Sequence, residues 1–201
     1  MKKFITLAIV ILLLPFQAFA NEEMSKEEVK KFVENIGNSI VGIANEKISE
    51  TKKREKIIAI VDAAIDADWI ARFVLGKNYK TANDEQRTKF IKLYHDFMVN
   101  TYGPKFKNYD GRKFTVSDVT EQSSFDIVKA EFLPRNSDIA ISVDFRVKKR
   151  NGKLAILDFI AEGISLIETQ RSEFNSAIAQ DGMDKFLENL SERVKKLKSA
   201  T

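Results

Sequence analysis

A chain of 201 residues with no cysteine and one histidine excludes several chemistries at once: no disulfide staples it, no thiolate attacks a substrate, and no Cys/His cluster holds zinc. Its 33 basic and 29 acidic residues leave a formal charge of +4, with the basic ones in short runs such as Lys52-Lys53-Arg54, Arg112-Lys113 and Lys148-Lys149-Arg150. These read as solvated loop tips rather than one continuous stripe, so no nucleic acid is expected as a partner, whereas docking onto an anionic lipid surface or an acidic partner stays open.

Residues 1–20, MKKFITLAIVILLLPFQAFA, set Lys2 and Lys3 before an apolar run and close on Ala18-Phe19-Ala20. That is the build of a secretory signal peptide cleaved after Ala20. The run from Phe4 to Leu14, broken by Pro15, falls short of the roughly 20 apolar residues that span a bilayer. Residues 21–201 are therefore expected to form one exported periplasmic domain, monomeric and held by its own core.

Ser25 and Glu28 stand in capping-box spacing, and Val29, Phe32, Val33 and Ile36 follow at helical intervals, which predicts an amphipathic first helix. A second carries Ile57, Ile60, Val61, Ala64 and Ile65 on one side. Asp66 then reads as the N-cap of a short third helix, ADWIARFVL, ended by Gly76. Thr81 or Asn83 starts a longer one whose Phe90, Leu93, Tyr94, Phe97 and Met98 make a wide apolar stripe, stopped by Gly103-Pro104.

From Arg112 the period changes to two. Segments 113–121, 125–133, 138–149 and 153–162 predict strands joined as hairpins, with Asn151-Gly152 the clearest turn. In the third, Ile139, Ile141, Val143, Phe145 and Val147 alternate with polar residues, so one face is covered. The fourth, KLAILDFIAEG, is apolar on both faces. Helices over about Thr169–Ala179 and Asp181–Lys198 close the chain. The expected fold is α+β in a single domain: a twisted four-stranded antiparallel sheet covered on one face by about five or six helices.

Catalytic constellations are sparse. His95 lies off the apolar stripe and reads as a surface residue, and LGKN at 75–78 lacks the second glycine and Lys-Ser/Thr pair of a phosphate loop. No metal or cofactor is expected. Asp158 stands out, because a carboxylate inside an apolar strand is costly unless paired. Two readings follow: a structural ion held by Arg72, Arg171 or backbone donors, or the acid of a small isomerase-like enzyme. Gly163 can bend the strand end, with Ile164, Leu166 and Phe174 turning inward and Ser165 or Thr169 capping the helix beyond.

The phrase EGISLIETQRSEF, together with ADWIARFVLGKNYKTANDEQRTKFIKLYHDFMVNTYG from Ala67 to Gly103, closely resembles the MlaC or toluene-tolerance auxiliary family, over nearly all of the chain beyond residue 20. The resemblance implies a periplasmic phospholipid carrier with an apolar cavity between sheet and helices. Its partners would be an outer-membrane lipoprotein complex and an inner-membrane ABC transporter with MCE domains. A branch of the family linked to hopanoids leaves that ligand as the alternative. On this sequence the cavity walls are placed on the helical aromatics Trp69, Phe73, Phe90, Tyr94, Phe97 and Phe174. The third strand adds Ile141, Val143 and Phe145, and the corner adds Ile164 and Leu166. A carrier needs no catalytic group, but it must shield acyl methylenes, each worth about 0.8 kcal/mol on burial.

Overall fold

The computed structural model describes residues 25–102, 111–135, 137–150 and 152–199. The expected signal peptide, the Gly103-Pro104 stop and Asn151 lie outside the described residues. Helix α1 (Lys26–Ala44) opens with the predicted capping box: the Ser25 hydroxyl accepts from the Glu28 amide at 3.2 Å, and the Glu28 carboxylate accepts from the Ser25 amide at 3.0 Å. Next come α2 (Glu50–Ala64) and α3 (Ala67–Leu75), the latter capped by Asp66, whose carboxylate accepts from the Trp69 amide at 2.9 Å. Gly76, at φ 56°, ends α3 and admits the short α4 (Lys77–Thr81). Helix α5 (Asp84–Tyr102) starts on a reciprocal pair, Asn83 and Gln86, each side chain accepting from the other's amide.

Strands β1 (Gly111–Glu121), β2 (Asp126–Pro134), β3 (Ile141–Arg150) and β4 (Lys153–Ala161) form the expected antiparallel meander. The sheet has five strands rather than four, because a two-residue β5 (Ile164–Ser165) folds back on Ile160 and Ala161. Beyond it α6 (Leu166–Asp181) and α7 (Met183–Ser199) are separated by Gly182 at φ 80°. Among the described residues this makes seven helices, α4 being the one that the periodicity did not separate.

The sheet contains a bulge that the alternation of its sequence does not reveal. Val147 pairs with Ile156 and Arg146 with Asp158, so Leu157 is an extra residue on β4. Ile156 and Phe159, three apart, thereby share one face, while Leu157 and Asp158 turn away from it. Residues 155–158 are all buried as a result, which is why β4 reads as apolar on both sides.

The interior falls into two clusters. In one, α1 crosses β1 and β2 and packs Val29 and Val33 onto Phe114, Val116, Val128, Ala130, Val143, Val147 and Ile156. The approach is close: a methyl group at Gly37 would sit 2.1 Å from the Phe114 ring. The other is built from helices α3, α5, α6 and α7 around Phe90, Tyr94, Phe97, Phe174, Phe186 and Leu190. Ile65, in the link between α2 and α3, forms a parallel bridge with Ile156 along the β4 edge and packs against both clusters. Nearby, Arg150 donates to Asp66 at 3.1 Å, so the end of the 148–150 run ties β3 to the cap of α3 rather than standing as a free loop tip.

Candidate functional site

The bend after β4 is a tight hairpin. Glu162 and Gly163 both have positive φ, 52° and 77°, between the paired residues Ala161 and Ile164, as a type I′ turn requires. The turn returns Ser165 to β4 beside Asp158 and starts α6 there. Ser165 is the N-cap, accepting from the Glu168 amide at 3.1 Å, and α6 begins about three residues earlier than the Thr169 start expected from sequence.

Asp158 is closed in by this corner. Its side chain has 0% exposure and accepts from the Ser165 hydroxyl at 2.6 Å and from the amides of Phe159 at 2.8 Å and Ile167 at 3.3 Å. The charge partner is Arg146 at 3.3 Å, its register neighbour across β3, and not Arg72 or Arg171. Arg146 also reaches Glu168 at 2.6 Å and lies over the Phe125 ring. A carboxylate so surrounded holds a strand, a turn and a helix start together. Its lone pairs face structural donors, leaving none directed at a substrate proton.

Between corner and helical cluster lies a second polar group. The Tyr94 hydroxyl donates to Gln170 Oε1, while Gln170 Nε2 reaches Met98 Sδ at 3.1 Å and the Tyr102 hydroxyl at 3.4 Å. Burial above all, then Tyr102 and Asp158, pushes the Tyr94 hydroxyl well above its ordinary pKa, so it stays protonated. His95 is at the surface as expected, with a partner the sequence did not suggest: its Nε2 lies 3.1 Å from Asp62 of α2, both side chains about 40% exposed.

The eleven residues expected as cavity walls separate into four sets. Phe90, Tyr94, Phe97 and Phe174 pack ring on ring, with Phe90 and Tyr94 stacked at 5.5 Å and Phe174 edge-on to each of the other three. Trp69 and Phe73, stacked at 5.2 Å, flank that cluster. Val143 and Phe145 belong to the sheet cluster, Phe145 contacting Phe114 and Phe159 at 6.4 and 5.6 Å. Leu166 is half-buried at the start of α6.

Ile141 and Ile164 do not turn inward: they are 50% and 65% exposed. The residue that α6 buries at this point is Ile167. Phe132 opposes Ile141, Val143 opposes Ala161, Phe145 opposes Phe159, and Ala161 opposes Ile164. These side chains therefore continue the face on which α1 packs, from β2 onto β3, β4 and β5, whereas α1 lies over β1 and β2. Phe159 at 38% and Ile139 at 79% complete the exposed large hydrophobics among the described residues, so all four gather at this end of the sheet. Phe159 escaped the sequence reading because strict alternation puts it on the wrong face, and no residue marks the bulge. Gln170 looks like an ordinary helical polar residue, and only its burial shows otherwise.

No described helix is long and apolar enough to cross a membrane. A family model described as MlaC protein matches residues 34–192. The intermembrane phospholipid transport system binding protein MlaC of Haemophilus influenzae is 22% identical over 132 residues, an alignment covering 64% of this chain and 62% of that protein, so this chain spans less than two thirds of that relative. The fold is similar to that of the phospholipid-binding protein from Ralstonia solanacearum in complex with a phospholipid, with a TM-score of 0.74, 18% identity, and coverage of 84% of this chain and 98% of that one.

Proposed function

This chain belongs to the MlaC family, and on that premise we propose that it is a periplasmic phospholipid carrier. It moves lipid between an outer-membrane lipoprotein complex and an inner-membrane ABC transporter with MCE domains. The observation that carries this reading is the uncovered apolar end of the sheet, where Ile141, Phe159 and Ile164 continue the face of a buried core into solvent. A bound acyl chain covers them and follows the face toward Phe145 and the seam at Ile65 between the two clusters. Two chains of ordinary length withdraw enough methylenes to supply well over ~10 kcal/mol, and that term needs apolar surface rather than polar contacts. The phospholipid in the complex of the Ralstonia solanacearum protein supports the same ligand class here.

Phospholipid should be recovered when the natively purified protein is extracted and the extract analysed by mass spectrometry. Delipidated protein should then take phospholipid from vesicles. Hopanoid in the extract would keep the carrier and change its cargo, whereas protein that holds no lipid and accepts none would end the carrier reading.

A further inference from the structure

The corner joining α3, α4 and α6 presents two arginines that the rest of the fold does not use. Arg72 is exposed on α3 and Arg171 half-buried on α6, and neither forms an ion pair among the described residues. Both are nonetheless held in place. The Arg171 guanidinium lies over the Phe73 ring, 4.6 Å from its centroid, and the Arg72 guanidinium over Tyr79 at 5.4 Å. Arg87 lies 5.0 Å from the same Tyr79 centroid, and its Nε donates to the Tyr79 carbonyl at 2.9 Å, which fixes that ring.

Gly76 completes the seat. A Cβ there would meet Arg171 Nη2 at 3.2 Å and Nε at 3.3 Å, so the guanidinium lies flat against backbone that only glycine leaves bare. Asn175 locks α6 to this turn, donating to the Val74 carbonyl at 2.8 Å and accepting from Asn78 at 2.7 Å. Glu168, one turn before Arg171, is taken by Arg146, and Asp84 by Arg87. Asp68, one turn before Arg72, is exposed and pairs with neither arginine.

We propose that Arg72 and Arg171 form a docking face for an acidic protein surface, one that presents paired carboxylates to two preorganised guanidinium forks. Stacked guanidiniums keep their in-plane N–H groups free, and those match carboxylates two at a time. Arginine is also enriched at protein interfaces and among the few residues that carry most of their binding energy. A lipid surface fits less well. Trp69, Phe73 and Tyr79 are packed against the helical cluster instead of projecting for insertion. The face deepens the carrier reading by giving the cargo-laden protein a place to meet its membrane complexes, but its chemistry is independent of the cargo.

The test uses the exported full chain and an oligo-glutamate peptide as probe, with binding followed by fluorescence anisotropy at low and high salt. The wild type should bind, and added salt should weaken it. Both Arg72→Gln/Arg171→Gln and the charge-preserving Arg72→Lys/Arg171→Lys should weaken binding roughly tenfold or more, because lysine keeps the charge but loses the fork. Lys195→Gln/Lys196→Gln on α7, with the same charge loss as the first pair, should leave it unchanged. Equal losses in the α7 control, or full binding by the lysine pair, would reduce the effect to net charge and overturn the proposal. So would a wild type that ignores the peptide, or one that binds vesicles containing phosphatidylglycerol in its place. Phospholipid content measured on the same samples separates the two ideas: variants that keep their lipid and lose the peptide have lost docking alone, whereas a lipid-free wild type fails the carrier reading and leaves the docking result standing.

Discussion

Asp158→Asn separates a structural tie from a catalytic acid. The substitution keeps the oxygen that accepts from the Phe159 and Ile167 amides at 2.8 and 3.3 Å, and places an amide nitrogen where Oδ2 accepted from Ser165 at 2.6 Å and faced Arg146 at 3.3 Å. The Ser165 oxygen, which accepts from the Glu168 amide at 3.1 Å, keeps a second lone pair for the new N–H, but that bond lacks the carboxylate's charge and leaves the Ser165 proton without its acceptor Oδ2. Lost are one short charge-assisted hydrogen bond, worth about 1.5–3 kcal/mol, and the partner of a half-covered arginine that retains only Glu168 at 2.6 Å. A total near 3 kcal/mol follows, within the range of about 3–5 for a broken buried pair. At roughly 2–4 °C per kcal/mol for a domain of this size, the melting temperature should fall by about 6–12 °C. Lipid content per folded molecule should stay as in the wild type. The assay is thermal unfolding by circular dichroism alongside lipid quantification. A melting temperature within about 1 °C of wild type would refute the tie, since no group that holds three chain segments together is removed so cheaply.

Three other outcomes test the packing and the site. Gly37→Ala should destabilise by about 1–3 kcal/mol although alanine is the better helix former, because its methyl meets the Phe114 ring at 2.1 to 2.4 Å; a raised melting temperature would contradict the contact. Asp126 is buried opposite Glu121, and burial, then that carboxylate, raises its pKa, with Lys26 lowering it in part. The native state thus holds its proton more tightly, stability is lost as pH rises through the raised pKa, and Asp126→Asn should raise the melting temperature at neutral pH by roughly 1–4 °C but give no gain near about pH 3. Ile141→Asn should leave the melting temperature within about 1 °C, since half of that side chain is already in water, and should lower bound phospholipid several-fold; Val143→Trp, at 8% exposure, should instead cost about 1–3 kcal/mol by overpacking.

What the sequence disclosed depended on how local the cause was. Ser25, Ser49, Asp66 and Ser165 each cap a helix through an amide three residues on; the sequence pointed to Ser25 and Asp66, held Ser165 as one of two candidates beside Thr169, and did not single out Ser49. The change of period at Arg112 announced the meander because alternation is a local property of each strand. β5 was missed because two residues carry no period, and it exists only through the positive φ of Glu162 and Gly163. The charge partner of Asp158 was missed for a related reason. Arg146 lies twelve positions away and becomes a neighbour only through register, while Arg72 and Arg171 had no more in their favour than sign.

On the carrier reading, the site was less legible than the fold, for a reason that applies to any protein holding an apolar cargo. An acyl chain and a neighbouring side chain offer the same surface to a valine, so the sequence selects the same residue types for wall and for core. Phe90, Tyr94, Phe97 and Phe174 look like a lining in the sequence, and in the structure they fill one another's contacts. What distinguishes Ile141, Phe159 and Ile164 is their position beyond the reach of α1 on a face whose other residues are covered. That distinction arises from where α1 lies across the sheet, over β1 and β2 rather than over β3 to β5, and from one bulged residue, Leu157, that carries Phe159 onto the face. Exposed apolar surface continuous with a core costs free energy in the empty protein, and binding a chain there recovers it. The same residues should therefore gain least from folding and most from cargo, which is why Ile141→Asn is expected to separate lipid content from melting temperature where substitutions among the four packed rings would lower both.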